Sequence, residues 1–428
     1  MSTLSSRVHR FYLYQATSAF AIWIPYWALW MNAHVASYFE FTLADVAFWV
    51  GLLIFQLPVG VLADRLGRKW TIVLSESFRT AGILGYGLGI NLLGYVSANI
   101  IWSIGGAFSI GTSAYLYETL MDARQEAEFP RYIGRNTFIQ IGCNATAALV
   151  GGIVVALSAN ALAGYQMTLL IGALVNVAAV CVAATFIEPA VERHTEPTAL
   201  GQLGQGLRIV RRREGVALLI GLQVFLGVAL YLMTAFRSPY LSALGIAAGD
   251  IGIWVAGFLF LAAIVSAFTG TISDRLGEFR SLSLIALFAS VPFFGIWIAG
   301  PTAWAVLLQV PVYVVWSLEP PLISAYLNRR LEPGQRATVL SMGSFAYTLG
   351  LVIAEPLAGL VLTDGNILVL GLFLGLLTAI PCAYILVRWR ATVAPWPAIT
   401  PVPSRLVPGG ALVSRFSRVF ERLGRLWP

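Results

Sequence analysis

Gly60-Val61-Leu62-Ala63-Asp64-Arg65-Leu66-Gly67-Arg68-Lys69 closes one apolar block of the chain, and Gly270-Thr271-Ile272-Ser273-Asp274-Arg275-Leu276-Gly277 closes another in the second half. The shared pattern is Gly-x-x-x-Asp-Arg-x-Gly. Two further echoes keep the same order along the sequence. Ser113-Ala114-Tyr115-Leu116 returns as Ser324-Ala325-Tyr326-Leu327, and Arg135-Asn136-Thr137 with Gly142 returns as Arg336-Ala337-Thr338 with Gly343. Any one match has little weight. Three in order, each at the same end of corresponding apolar blocks, point to two halves built on one plan.

The blocks themselves identify the solvent. Of 428 residues, 58% are hydrophobic and 11% charged, with a mean hydropathy of +0.79, whereas soluble domains carry about 25% charged residues. The apolar residues come in blocks of about 20, the length that crosses a bilayer core. Charge, Gly, Pro and Asn punctuate the chain into twelve expected helices. They cover 11–33, 38–63, 70–91, 96–118, 134–157 and 165–187, then 215–238, 250–273, 280–300, 303–327, 338–362 and 366–388. The stretch from Phe11 to Met31 is too long for a signal-peptide core and lacks a small-residue cleavage site, so it is expected to stay as the first span. The fold expected is an all-α membrane protein with two pseudo-symmetric six-helix lobes, related by an axis along the membrane normal.

Orientation follows from the basic residues. With the N-terminus inside, every Lys and Arg except Arg79 and Arg237 falls on the inner side, and the outer loops carry none. Positive loops are retained in the cytoplasm, so both termini are expected there, in the plasma membrane. The organisation expected is a first lobe over 1–187, a cytoplasmic linker over 188–214, a second lobe over 215–388 and a Pro-rich tail over 389–428. Leu207, Ile209 and Val210 beside Arg208 and Arg211 to Arg213 suit either a short helix on the anionic inner leaflet or a solvated charged loop. In the tail, Leu412, Phe416, Val419, Leu423 and Leu426 at helical spacing, with Arg415, Arg418, Arg422 and Arg425 opposite, suggest an amphipathic surface helix.

The net charge of +7 does not imply nucleic acid, because the basic residues do not interleave with aromatics along one surface. Cys143, Cys181 and Cys382 each stand alone in an apolar block, so neither disulfides nor a metal site is expected. Nothing resembles a nucleotide-binding loop or a nucleophile triad, and no cofactor is expected.

The loop string Gly60-x-x-x-Asp64-Arg65-x-Gly67-Arg68-Lys69, with its partial copy at Asp274-Arg275, resembles the loop motif of the major facilitator superfamily at every defining position. The resemblance extends over nearly the whole chain. It implies a clasp at the cytoplasmic end, in which Gly60 permits close helix packing and Asp64 pairs with Arg65 or Arg68 or faces a helix N-terminus. A basic stop-transfer turn is the alternative. Leu116-Tyr117-Glu118-Thr119-Leu120 and Arg336-Ala337-Thr338-Val339-Leu340-Ser341 resemble efflux-type members, whose drug:proton antiport would then be implied. Span four, however, lacks an arginine in its upper or middle part, and span five lacks the Gly-Pro pair of that branch.

An ionisable group inside a span is costly, so each is a functional candidate. Glu76 and Arg79 are spaced to pair on one helix face. Glu118, at the inner end of span four, is either structural, facing Arg124 or Arg131, or gating. Glu319 precedes Pro320-Pro321 and Glu355 precedes Pro356, on spans expected to line a cavity, where proline frees a carbonyl and bends the helix. A carboxylate there can load and release protons, and Glu319, Glu355 and Glu118 are the proton-coupling candidates. Arg237 could meet an anionic group, or form a gate with Glu40, Asp45 or Asp250. Gln15, Trp23, Tyr26, Gln140, Asn144, Gln223, Gln309 and Trp316 complete the candidate cavity, though aromatics at such spacing also pack or face lipid. The expected function is secondary active, proton-driven export of a small amphipathic compound by a monomer. A proton-coupled or facilitative importer of a polar metabolite is the alternative, and a non-transporting sensor or scaffold is the alternative of another class.

Overall fold

Short polar turns cut the apolar sequence into helices, and three of these turns supply their own caps. Ser37 accepts from Glu40 N at 3.2 Å, Asn91 from Gly94 N at 2.8 Å and Asn160 from Ala163 N at 2.8 Å, each satisfying an amide at a helix start. The computed structural model describes residues 4–109, 111–189, 199–362 and 366–393. The first half contains α1 (Leu4–Ala19), α2 (Trp27–Asn32), α3 (Tyr38–Leu66), α4 (Arg68–Leu88), α5 (Leu92–Phe108), α6 (Gly111–Asp122), α7 (Phe129–Leu157) and α8 (Ala161–Ala184). A connecting helix α9 (Ala199–Arg212) leads to α10 (Glu214–Ala243), α11 (Ala248–Ser266), α12 (Thr269–Ala299), α13 (Gln309–Arg330), α14 (Pro333–Val361) and α15 (Val369–Thr392).

Ten helical stretches among the described residues are long and apolar enough to cross a membrane. The other two expected spans differ for identifiable reasons. The first is interrupted between Ala19 and Trp27, around Pro25, which lacks the N–H an uninterrupted helix would need. The third, α4, carries Arg68, Lys69, Glu76 and Arg79. Span four is described as α5 and α6, on either side of position 110. In the second half, span eight ends early at Ser266, and its motif copy lies instead in the first turns of α12, which bends at Gly277 (φ +72°).

The two halves pack alike. In the first, α3 lies on α5, α4 on α8, α1 on α8 and α1 on α7; in the second, α11 lies on α13, α12 on α15, α10 on α15 and α10 on α14. The lobes meet through α3 against α14 and α7 against α11, two contacts that exchange under the same symmetry. Glycines mark where they touch. A Cβ at Gly252 of α11 would run into the Ala148 carbonyl and lie 2.9 Å from Gly152 Cα on α7; one at Gly359 of α14 would lie 2.8 Å from Phe39 Cα on α3. All these residues lie at the end remote from the loop motif. Toward the motif end, a Cβ at Gly60, Gly134, Gly142, Gly257 or Gly270 would meet nothing within 4 Å. The lobes are closed at one end and parted at the other. The close helix contact expected of Gly60 is therefore not made in this conformation.

The expected linker helix forms as α9, but it packs against α14. Gly206 approaches Met342 and Thr338, and Ile209 and Val210 join the core while Leu207 and Arg208 point outward. The amphipathic tail helix expected around Leu412 to Leu426 lies outside the described residues, as does the linker between 190 and 198.

Candidate functional site

At the closed end, two acids from opposite lobes are buried side by side with their donors exchanged. Asp45 lies two turns into α3 and is 4% exposed; Glu355, near the far end of α14, is 1% exposed. Tyr231 of α10 donates to Asp45 Oδ2 at 2.8 Å, and Trp49 Nε1 of α3 donates to Glu355 Oε1 at 2.8 Å. Each carboxyl is thus held by a side chain of the other lobe. Glu355 Oε2 is buried without a partner. Asp45 and Glu355 act electrostatically on each other, and the charges of both and of Glu319 on α13 act on Tyr347 of α14. Glu319 is 4% exposed, and its buried Oε1 has no partner. The rings of Tyr231 and Tyr347 stand edge-on to Trp49, with centroids 4.9 and 6.0 Å away and interplanar angles of 87° and 84°.

The other candidate cavity residues are engaged in different ways. Trp23 and Tyr26 are packing groups here. Trp23 meets Trp102 edge-on at 5.2 Å, and Tyr26, fully buried, stacks on Tyr165 while its hydroxyl accepts from Gly252 N of the other lobe at 3.1 Å. Gln140 donates to Gln15 at 2.9 Å, joining α7 to α1, with Asn144 half-buried one turn further along α7. Gln223 is half-buried beside Gly343, and Trp316 is 43% exposed. Gln309 is fully buried with both side-chain polar atoms unpartnered. Arg237 does not form the expected gate. Its guanidinium donates to the Tyr313 hydroxyl and lies 5.9 Å from that ring centroid, whereas Asp45 is taken by Tyr231 and Glu40 folds back onto Ala36 N. Glu76 pairs with Arg79 at 2.9 Å and also accepts from Tyr14 and Ser18 of α1.

The loop motif is clasped from within its own lobe. Gly67 has φ +88°, a conformation that L side chains rarely adopt, and a Cβ there would lie 2.6 Å from the Glu188 carboxylate. Glu188 occupies that space and accepts from Arg68 N at 2.7 Å and Lys69 N at 2.8 Å, setting a negative charge on the N-terminus of α4. Glu118 pairs with Arg68 at 2.8 Å rather than with Arg124 or Arg131. Arg65 is exposed, Lys69 reaches over the Trp70 ring, and the Asp64 side chain lies outside what is described. The second lobe repeats the clasp with its charges reversed. Gly277 takes the same backbone turn, and Glu278 after it receives both arms of Arg330 at the end of α13, at 2.5 and 2.6 Å. Asp274 and Arg275 are exposed beside it.

Asp45, Trp49, Tyr231 and Tyr347 were not singled out from sequence as site residues. The available signal was positional: Asp45 falls inside the expected span 38–63, one helical turn before Trp49.

Comparison with known proteins agrees with this architecture. The family model for the Major Facilitator Superfamily matches residues 11–355. The uncharacterized MFS-type transporter YxaM of Bacillus subtilis (strain 168) is 21% identical over 365 residues, covering 82% of this chain and 88% of that protein. Among solved structures, a variant of the nucleoside transporter NupG superposes with a TM-score of 0.75 at 13% identity, covering 92% of this chain and 100% of that one. A D-xylose-proton symporter gives 0.69 at 13% identity, with 89% and 97% covered.

Proposed function

The chain belongs to the major facilitator superfamily and is a membrane transporter, not an enzyme; on that premise we propose that it couples proton movement to export of a small amphipathic compound by alternating access. The observation that supports this most is the exchange of donors across the seam, Trp49 to Glu355 and Tyr231 to Asp45. Opening that end takes both donors away together, and a bare buried carboxylate is costly. A proton from the outer compartment replaces each donor. Closing the seam returns the donors, and the protons leave toward the end that has parted. The basic residues flanking the loop motif support placing that parted end at the cytoplasm, a reading that makes the conformation inward-open and puts both termini on the cytoplasmic side of the plasma membrane.

Import of a polar metabolite with protons is the second reading. It is favoured by the Gln15–Gln140 pair and nearby Asn144, which offer amides to hydroxyl-rich ligands. One experiment separates the two. Purified protein is reconstituted into vesicles with an imposed pH gradient, and cationic dyes, drugs, sugars, nucleosides and organic acids are added in turn. Export predicts that lipophilic compounds dissipate the gradient by moving against the protons; dissipation by a sugar or nucleoside moving with them would replace it with the importer.

A further inference from the structure

At the motif end of the second lobe lies a cavity of about 480 Å³, far from the seam acids. Its walls are Arg213 and the first residues of α10 (Glu214, Gly215, Val216), Arg329 and Arg330 at the end of α13, and Thr392 and Val393 at the end of α15. Three arginines and one acid therefore share the wall. The acid is committed to a fourth arginine: Glu214 Oε1 accepts from Arg388 Nη2 at 2.5 Å and from Nε at 3.1 Å.

The three wall arginines are engaged to different degrees. Arg330 is fixed by both arms on Glu278, by the Tyr326 carbonyl at 3.1 Å and by the Trp389 ring, whose centroid is 4.8 Å away. Arg213 donates to the Arg330 carbonyl at 2.6 Å and meets Glu332 at 3.3 Å, an exposed pair of little strength. Arg329 meets no acid among the described residues; its guanidinium lies 5.5 Å from the Tyr326 ring centroid. Four arginines (213, 329, 330 and 388) thus face three acids (Glu214, Glu278 and Glu332), and the uncompensated charge is that of Arg329.

Gly215 keeps the space open. A Cβ there would stand 3.4 Å from both Arg330 Nε and Val393 Cγ2, so a longer side chain would have to enter the cavity. Along the preceding turns of α15, Ile380, Tyr384 and Val387 form an exposed apolar stripe at helical spacing. That helix meets acyl chains on its way to the cavity, and basic pockets between spans at such a level take acidic headgroups.

We propose that this cavity binds a phosphate group, with Arg329 as its principal contact and Arg213 beside it. Guanidinium donors match phosphate oxygens in geometry as well as charge. The apolar stripe favours the headgroup of an acidic phospholipid as the source over free phosphate. A headgroup held there ties the junction of α9 and α10 to the ends of α13 and α15. The site is independent of what the transporter carries.

The test is thermal unfolding of the purified, delipidated full-length chain in neutral detergent with added ligand. Phosphatidylglycerol should raise the midpoint saturably and phosphatidylcholine should not. Arg329→Gln should weaken the apparent affinity about fivefold, and Arg329→Lys should retain most of it. Arg208→Gln removes the same charge from an outward-facing position on α9 and should change nothing. Gly215→Leu fills the cavity without altering charge and should weaken binding at least as much as Arg329→Gln; it also decides the matter if the arginine variant fails to fold. Inorganic phosphate is the second probe. Stabilisation by the lipid but not the ion assigns the site to a headgroup, and stabilisation by the ion that is lost in Arg329→Gln assigns it to free phosphate. Equal weakening by Arg208→Gln and Arg329→Gln, undiminished binding in Gly215→Leu, or equal stabilisation by phosphatidylcholine would overturn the proposal.

Discussion

Gly252→Ala adds one methyl group at the tightest point of the seam. The new Cβ would collide with the Ala148 carbonyl and sit 2.9 Å from both Gly152 N and Gly152 Cα. Those are backbone atoms of α7, so no flexible side chain can yield, and the helices must separate. Overpacking of this kind costs about 1–3 kcal/mol. The gain in helix propensity, about 1 kcal/mol for Gly to Ala, falls on both conformations and cancels. At about 1.4 kcal/mol per factor of ten, the ratio of seam-closed to seam-open protein should fall by roughly 5- to 150-fold. Spin labels at Ser158→Cys and Ala247→Cys, next to the seam ends of α7 and α11, read that ratio as a distance distribution once Cys143, Cys181 and Cys382 have been replaced. Gly257→Ala, on the same helix with nothing within 4 Å, is the control and should leave the distribution unchanged. An unchanged distribution in Gly252→Ala, with thermal stability intact, would refute the claim that glycine packing holds this end shut.

Trp49→Phe keeps a ring but removes the donor to Glu355, at a cost of about 1–3 kcal/mol for the buried acceptor left unsatisfied; the same labels should report more seam-open protein. Glu188→Ala strips the carboxylate from the start of α4 and should lower stability by about 0.5–2 kcal/mol, as for loss of a helix cap, which a thermal unfolding curve will show. Arg68→Glu should destabilise the first lobe, and combining it with Glu118→Arg should restore a coupling of about 1–3 kcal/mol, since the second lobe already carries this charge order as Glu278 and Arg330. A double-mutant cycle in melting temperature that shows no recovery would sink the equivalence of the two clasps.

Much of this architecture was readable in the sequence because it rests on periodic and local features. The apolar blocks give the spans, and the echo of Gly60–Gly67 in Gly270–Gly277 gives the two lobes. That echo carries a backbone demand, for both terminal glycines adopt positive φ. The partners of the motif were not readable, because Glu188 and Glu118 reach it through tertiary packing from other helices. The helix break between Ala19 and Trp27 was also missed, because the span was read straight through Pro25, which has apolar residues on both sides. The candidate acidic site was half visible. Glu319 and Glu355 stood out beside prolines, but Asp45 entered only as one of three possible partners for Arg237, because sequence does not reveal which way an acid near a helix end faces. Trp49, Tyr231 and Tyr347 were hidden among the other aromatics of a membrane protein, where such residues ordinarily pack or meet lipid.

Proton-driven transport of the kind proposed requires Asp45 and Glu355 to carry the proton. The most direct measurement compares two fluxes of one transported compound in vesicles, accumulation driven by a pH gradient and exchange at equal pH on both sides. Asp45→Asn and Glu355→Gln should abolish accumulation while exchange continues, because each amide replaces a group that must gain and lose a proton. Accumulation at the unaltered rate in both variants would mean that neither acid carries the proton.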